Sequence, residues 1–318
     1  MKIAVLGTGS MGKTHAAIYK NFKDIDSITI VGRDEEKTTE LAKTLGIQGS
    51  TEPSEVLKDE SITVVDVCMP TQLHKQYVVS ALDNKKHVLC EVPISYDLKD
   101  ALGMVSRAKA AKKIFQVAQL MRSVAEISYV VEKVKSGSLG KILSVYLHRY
   151  QRYKVSEPIT DLMGFDLDTV NHLLGLPISV QANASSRSGA EEFFAVLNYS
   201  ELSCLVEFKT IMSREFPLSH GVRVVGSDGM IETNIVFTAP KLEIPETSVN
   251  FYPRGGKKKE VEVKGHDPYE RECRYFINTI LGKEDGSLLD AHQAVDTLKI
   301  AIAIKESLST KKEVGLTS

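Results

Sequence analysis

Three glycines, Gly7, Gly9 and Gly12, follow the apolar run at residues 3–6 in the order GTGSMG. In that setting each has its own physical role. Gly7 permits a tight turn, Gly9 lets a pyrophosphate approach bare backbone, and Gly12 lets a following helix pack closely on the strand. The phosphate would rest on free N–H groups at the helix start, so Gly7, Thr8, Gly9, Ser10, Met11 and Gly12 are the expected cofactor contacts. About 20 residues further on, where an acidic side chain would hold a ribose 2′-hydroxyl, the sequence reads TIVGRDEEK. Gly32 stands at the strand end and Arg33 follows, which favours a 2′-phosphate and therefore NADP(H), with NAD(H) the alternative. Asp34 competes for the ribose, yet it is better placed to cap a helix beginning at Glu35.

Two further stretches carry polar groups at strand ends. KKHVLCEVPIS delivers Glu91 at the end of an apolar run, where α/β sheets bind ligands, and follows it with the inert Val92. HRYQRYK places His148, Arg149, Tyr150, Arg152, Tyr153 and Lys154 together, either as an exposed charged edge or as a cationic, aromatic wall for a hydroxyl-rich or anionic ligand. Strand alternation puts His148, Tyr150 and Arg152 on one face.

The elements that must position these groups follow from changes of hydrophobic period. Through the first third, strand-like runs at 2–6, 27–31, 63–69, 87–90 and 114–117 alternate with helical patterns at 12–20, 35–45, 53–58, 72–82 and 98–111. Such alternation predicts a Rossmann-type, doubly wound parallel sheet covered by helices on both faces. From about residue 141 the strand-like runs ILSVYLHRY, ISVQANASS, EEFFAVLNY, LSCLVEFKT, VRVVG and MIETNIVF arrive nearly back to back, which predicts a largely antiparallel, open sheet in an α+β domain. Helices are expected near 160–174, near 268–280 and at 290–308. The expected division is a dinucleotide-binding domain at 1–120 and a substrate and oligomerisation domain at 121–289, with the 290–308 helix packing back on the first.

With 318 residues, 42% apolar and 25% charged, the chain is an ordinary globular protein. A net charge of −1 offers no general attraction to nucleic acid or anionic lipid, and Lys257, Lys258 and Lys259 read as a solvated hairpin. No apolar stretch approaches the length of a membrane span. Cys68, Cys90, Cys204 and Cys273 lack metal-ligand spacing, so no metal is expected and a reduced cytoplasm is the simplest setting.

The segment CMPTQLHKQYVVSALDNKKHVLCEVP resembles the Gfo/Idh/MocA oxidoreductases through Pro70, Thr71, His74, Ala81, Leu82, His87, Val88, Glu91 and Pro93. The similarity runs on through Arg122, SGSLGKILSV and the closing helix, nearly the whole chain. The resemblance implies a nicotinamide-dependent oxidation or reduction of a sugar, polyol or related carbonyl in a site between two domains, in a homodimer or homotetramer. It also implies that Pro70, Thr71 and His74 shape the nicotinamide end and that Glu91 orients either the ribose or the surroundings of the missing lysine. Two departures fall where the family handles protons. Val92 replaces the lysine of Glu-Lys-Pro, and in DLMGFDLD Phe165 replaces the histidine between Asp161 and Asp168.

A positioned acid or base contributes about 10²–10⁴-fold to such a reaction, and neither Val nor Phe supplies one. Tyr153, Lys154, Asp168 and His148 are the substitutes the sequence offers. His172 shares a helical stripe with Asp161, Phe165 and Asp168 but lies about 10 Å along the axis from Phe165, and reads as a packing residue. The expectation is thus an NADP-dependent oxidoreductase acting on CH–OH groups with atypical proton-transfer residues. A cofactor-binding protein without turnover, or a lyase or glycosidase using bound cofactor for transient oxidation, are the alternatives.

Overall fold

A computed structural model describes residues 1–152, 155–184, 192–210, 212, 216–237 and 246–316. The chain divides into two units, one formed by Met1–Leu120 with Asp267–Val295, the other by Met121–His266 with Asp296–Ser318.

In the first unit, β1 (Lys2–Leu6), β2 (Ser27–Val31), β3 (Gln48–Ser50), β4 (Ile62–Val67), β5 (His87–Cys90) and β6 (Phe115–Val117) form one parallel sheet in the order β3-β2-β1-β4-β5-β6. Its connections are α1 (Ser10–Tyr19), α2 (Glu35–Leu45), α3 (Pro53–Lys58), α4 (His74–Asp83) and α5 (Leu98–Ala111). Strands covered on both faces need apolar side chains on both, which is why KIAVL, SITIV and HVLC run apolar without alternation. Asp66 interrupts that rule in β4 and is fully buried. The expected parallel sheet is present, with the added edge strand β3.

The core of this unit joins Ile3, Val5, Ile30, Val64 and Leu89 from the sheet to Ala16 and Tyr19 from α1, and to Cys273, Phe276 and Ile277.

The second unit opens with α6 (Ala125–Lys135) and β7 (Ile142–Tyr150), followed by α7 (Pro158–Asp161) and α8 (Gly164–Leu174). Then come β8 (Ser179–Ala184), β9 (Glu192–Asn198), β10 (Ser203–Lys209), β11 (Leu218–Gly226), β12 (Gly229–Phe237), β13 (Glu246–Pro253) and β14 (Lys259–Glu260). After α9 (Pro268–Ile280), α10 (Ala291–Thr310) and β15 (Val314–Gly315) close the chain. The sheet order is β14-β13-β12-β11-β7-β10-β9-β8-β15, antiparallel except between β7 and β10. Inward Phe193, Ala195 and Leu197 alternate with outward Phe194 and Val196 along β9, the period expected of a sheet packed on one face.

The segment that returns to the first unit is 267–295, carrying α9, rather than the 290–308 helix. The body of α10 belongs to the second unit, because Ile300, Ala301, Ala303 and Ile304 pack there with Val170, Phe193 and Phe208. Pro268 at the start of α9 and the Asp267 carboxylate, which accepts from the N–H groups of Tyr269 and Glu270, fix where that returning helix begins.

Candidate functional site

The glycine loop joins β1 to α1 as the motif requires. Gly7 has φ +126°, and a Cβ there would come within 2.3 Å of the Cys68 carbonyl oxygen. A Cβ on Gly12 would meet the Gly7 carbonyl oxygen at 1.9 Å. A Cβ on Gly9 would meet nothing within 4 Å, so its need for bare backbone lies outside the protein, in whatever approaches the start of α1. These three glycines and the helix start fit a dinucleotide pyrophosphate.

At the end of β2 the space beside Gly32 is filled by Thr8 and Thr38, so no acidic side chain can stand there without displacing them. Arg33 is exposed beyond it. Asp34 caps α2, accepting from the Lys37 N–H at 3.0 Å.

On the other side of β1, the turns after β4 and β5 are clasped by His74. Its Nε2 lies 2.8 Å from the Met69 carbonyl and its Nδ1 3.0 Å from the Pro93 carbonyl. This buried ring therefore holds Pro70 and Thr71 beside Glu91, Val92 and the cis Val92–Pro93 bond. His87 has a structural part: its Nδ1 accepts from the Ile114 N–H at 3.2 Å, and burial, with Lys113 nearby, pushes its pKa down to about 4.

Beneath Glu91 lies a polar cluster that the strand pattern did not announce. His15 Nδ1 is 2.8 Å from Asp66 Oδ2, which also accepts from Tyr19 Oη at 2.9 Å. His15 Nε2 makes no hydrogen bond among the described residues and faces Glu91 Oε1 at 3.4 Å. The Glu91 carboxylate also accepts from the Val92 N–H at 3.1 Å. Burial alone would push His15 down, but the charge and hydrogen bond of Asp66, with Glu91 and Glu272, raise it to about 9. Burial pushes Glu91 up to about 7, opposed by His15 and reinforced by Asp66.

His15, Cys68 and Glu91 offer ligand atoms within 4.8 Å of one another, a grouping with the donor types of a metal site. The imidazole is already engaged by Asp66, and the Cys68 thiol donates to the same carboxylate at 3.4 Å, which makes the group a proton-sharing network. The available signals were an Asp inside the apolar run TVVDVC and a His on the apolar side of α1.

Of the four catalytic candidates expected from sequence in the second unit, His148 and Asp168 lie among the described residues and do not meet. Tyr153 and Lys154 lie outside the described residues. His148 stacks on Tyr150 with ring centroids 4.8 Å apart on the open face of the sheet. Asp168 lies on α8, against the opposite face, so strand alternation separates the two. The Asp168 carboxylate is buried and accepts two hydrogen bonds from Arg122, at 2.7 and 2.6 Å, and one from Thr297 at 3.1 Å. It is a partner in a bidentate ion pair, not a free base.

Beside it Asp166, fully buried, pairs with both Arg149 and His220. Burial would raise this carboxyl, but the two cationic partners hold it below the usual range. Phe165 stands half-buried with the Arg149 guanidinium 5.6 Å from its ring centre. The stripe expected to run from Asp161 to His172 is interrupted between α7 and α8 at residues 162–163, because Asp161 ends one helix and Phe165 belongs to the next.

Comparison with known proteins agrees with this architecture in both units. Residues 1–119 match the model described as oxidoreductase family, NAD-binding Rossmann fold, and residues 131–316 match its C-terminal alpha/beta domain. A myo-inositol 2-dehydrogenase of Thermotoga maritima is 24% identical, over 99% of this chain and 98% of its own. A 2,7-anhydro-N-acetylneuraminate hydratase of Escherichia coli is 26% identical, over 92% of this chain and 80% of its own. An oxidoreductase of Agrobacterium radiobacter, solved with NAD+, L-tartaric acid and magnesium, superposes with a TM-score of 0.84 at 17% identity, covering 99% of this chain and 98% of that one. With nearly every residue of both units accounted for by the paired models, the chain belongs to the Gfo/Idh/MocA oxidoreductase family.

Proposed function

We propose that the protein is a nicotinamide-dependent oxidoreductase acting on a sugar, polyol or related carbonyl compound, with proton handling moved away from the usual positions. The observation that carries this reading is the intact cofactor cradle at Gly7, Gly9 and Gly12 beside a Glu91-Val92-Pro93 segment that has kept its carboxylate and lost its lysine. The cofactor would supply the two-electron exchange. The chain supplies the phosphate cradle, Arg33 for a 2′-phosphate, and the His74 clasp that sets Pro70 and Thr71 beside Glu91. NADP(H) is the expected cofactor, since Gly32 brings no carboxylate to repel the phosphate. The outer sheet face, with Phe194 and Leu205 partly exposed, is the surface through which a homodimer or homotetramer would form.

The test is a panel of sugars and polyols offered with NADP+ or NAD+, followed by the absorbance of reduced cofactor. The expected rates are low, and Val92→Lys combined with Phe165→His is expected to raise them while leaving cofactor affinity nearly intact. Ordinary rates in the parent, with no gain in the double variant, would overturn the account of displaced proton handling.

A second reading has one specific support. A relative named as a hydratase is 26% identical over 92% of this chain. In that case substrate is consumed while reduced cofactor does not accumulate, which product analysis by mass spectrometry distinguishes from the first.

A further inference from the structure

The cluster under Glu91 gathers carboxylates around one imidazole. Asp66 from β4, Glu91 from the end of β5 and Glu272 from α9 all act on one imidazole, His15 of α1. The other titratable groups close by include Tyr19, Tyr269, Cys68, Cys90 and Cys273, and none of them brings positive charge at neutral pH. Asp66 is buried and tied by three hydrogen bonds, whereas the Glu91 side chain keeps 13% of its surface exposed. Glu91 is the outermost member, at the carboxyl edge of the sheet.

Strand order says what passes over that edge. The winding reverses between β1 and β4, and a dinucleotide lies across the crevice at such a reversal. With the pyrophosphate at Gly9 and one ribose at the end of β2, the other half of the molecule extends over the ends of β4 and β5. There its ring is cationic when oxidised and neutral when reduced.

We propose that Glu91, backed by His15 and Asp66, couples the charge of the bound nicotinamide to proton binding, so that the oxidised cofactor expels a proton from Glu91 and the reduced cofactor does not. The inference rests on the nicotinamide-binding reading above. A cation close to a carboxyl stabilises its ionised form, whereas covering it with a neutral ring removes water and stabilises the protonated form. The cluster thus carries net negative charge under the oxidised ring and is closer to neutral under the reduced one. Glu91 is in this account a specificity-determining residue for the cofactor's oxidation state.

The experiment needs no substrate. Calorimetric titration of the whole protein with oxidised and reduced cofactor near pH 7, in buffers of different ionisation enthalpy, counts the protons exchanged. Since burial leaves Glu91 titrating near pH 7, release of up to about half a proton is expected with the oxidised form, and none or a small uptake with the reduced form. Correspondingly, the oxidised-to-reduced affinity ratio should rise with pH by at most about tenfold per unit, the limit for one linked proton. In Glu91→Gln the ratio should become independent of pH while both forms still bind.

Equal proton counts for the two forms in the parent protein would overturn the proposal even if the variant did not fold. Glu91→Gln retaining the parent's difference would overturn it too. Failure of either form to bind at all would overturn the cofactor reading along with it, an outcome distinct from binding without proton coupling.

Discussion

Two buried charged clusters sit in the two units, and they differ in whether arginines or a histidine alone meet the carboxylates. In the first unit Asp66, Glu91 and Glu272 surround His15, whose charge is conditional. In the second, Asp166 and Asp168 are met by Arg149 and Arg122, with His220 added on Asp166. A guanidinium stays protonated at any pH the fold survives, so the Arg122–Asp168 pair is fixed in charge. The first cluster joins an imidazole and a carboxyl whose proton affinities are both raised, and its least tied member, Glu91, stands at the carboxyl end of β5.

The largest effect should come from breaking the fixed cluster. Arg122 and Asp168 are each about 1% exposed at the side chain, so Arg122→Ala strands a carboxylate away from water. Loss of one partner of such a pair costs about 3–5 kcal/mol, and urea denaturation of the second unit should read it as a shift of midpoint at unchanged slope. Arg122→Lys keeps the charge but not the two-pronged contact, and should fall in between.

A smaller effect separates the clusters by pH. His15 and Glu91 both hold protons more tightly when folded, at about 9 against 6.5 and about 7 against 4.5. Their stabilisation is therefore fully present below the unfolded values and is lost as pH rises through the folded ones, a window from about pH 5 to 9. Asp166 has the opposite sign: its folded value is depressed, so its contribution is present above the unfolded value of 3.8 and is lost as pH falls. Amide hydrogen exchange across that range should show the first unit weakening toward alkali, partly offset below about pH 6.5 by His87, whose lowered value acts the other way, while the Asp166 contribution to the second unit stays level until acid is reached. Glu91→Gln should remove the part below about pH 7. Weakening of both units together would contradict the assignment.

Much of the scaffold that holds these clusters was legible, because local pattern and burial agree there. β1, β2, β5 and β7 have the bounds that their apolar runs suggested, and Asp34 caps α2 as its spacing implied. The short edge strand β3 escaped, since Gln48-Gly49-Ser50 has neither alternation nor apolar character. The proton-sharing cluster escaped for a different reason. His15 and Asp66 are 51 residues apart, and only adjacent parallel strands with their helix bring them within 2.8 Å. In the second unit a helical stripe suggested one row of side chains, but the chain turns between α7 and α8, and a strand's alternation carried His148 away from Asp168. Sequence period locates faces well; it does not say which faces meet.

Arg33 supplies a third kind of cation, and the smallest predicted change. It is exposed at the end of β2, unlike Arg122, which is buried in its ion pair. Exposed charges contribute little to folding, so Arg33→Ala should leave stability within about 0.5 kcal/mol of the parent. What it offers is a guanidinium next to Gly32, whose own surroundings are the Thr8 and Thr38 side chains. Loss of one such contact in water should weaken NADPH by about tenfold, or ~1.4 kcal/mol, and leave NADH almost unchanged. Paired fluorescence titrations of both cofactors at low and at high salt would check this, since a charge contact at the surface weakens as salt screens it. Equal losses for NADPH and NADH would mean that Arg33 stacks on the adenine side of either cofactor, and the preference would then have to come from elsewhere at the end of β2.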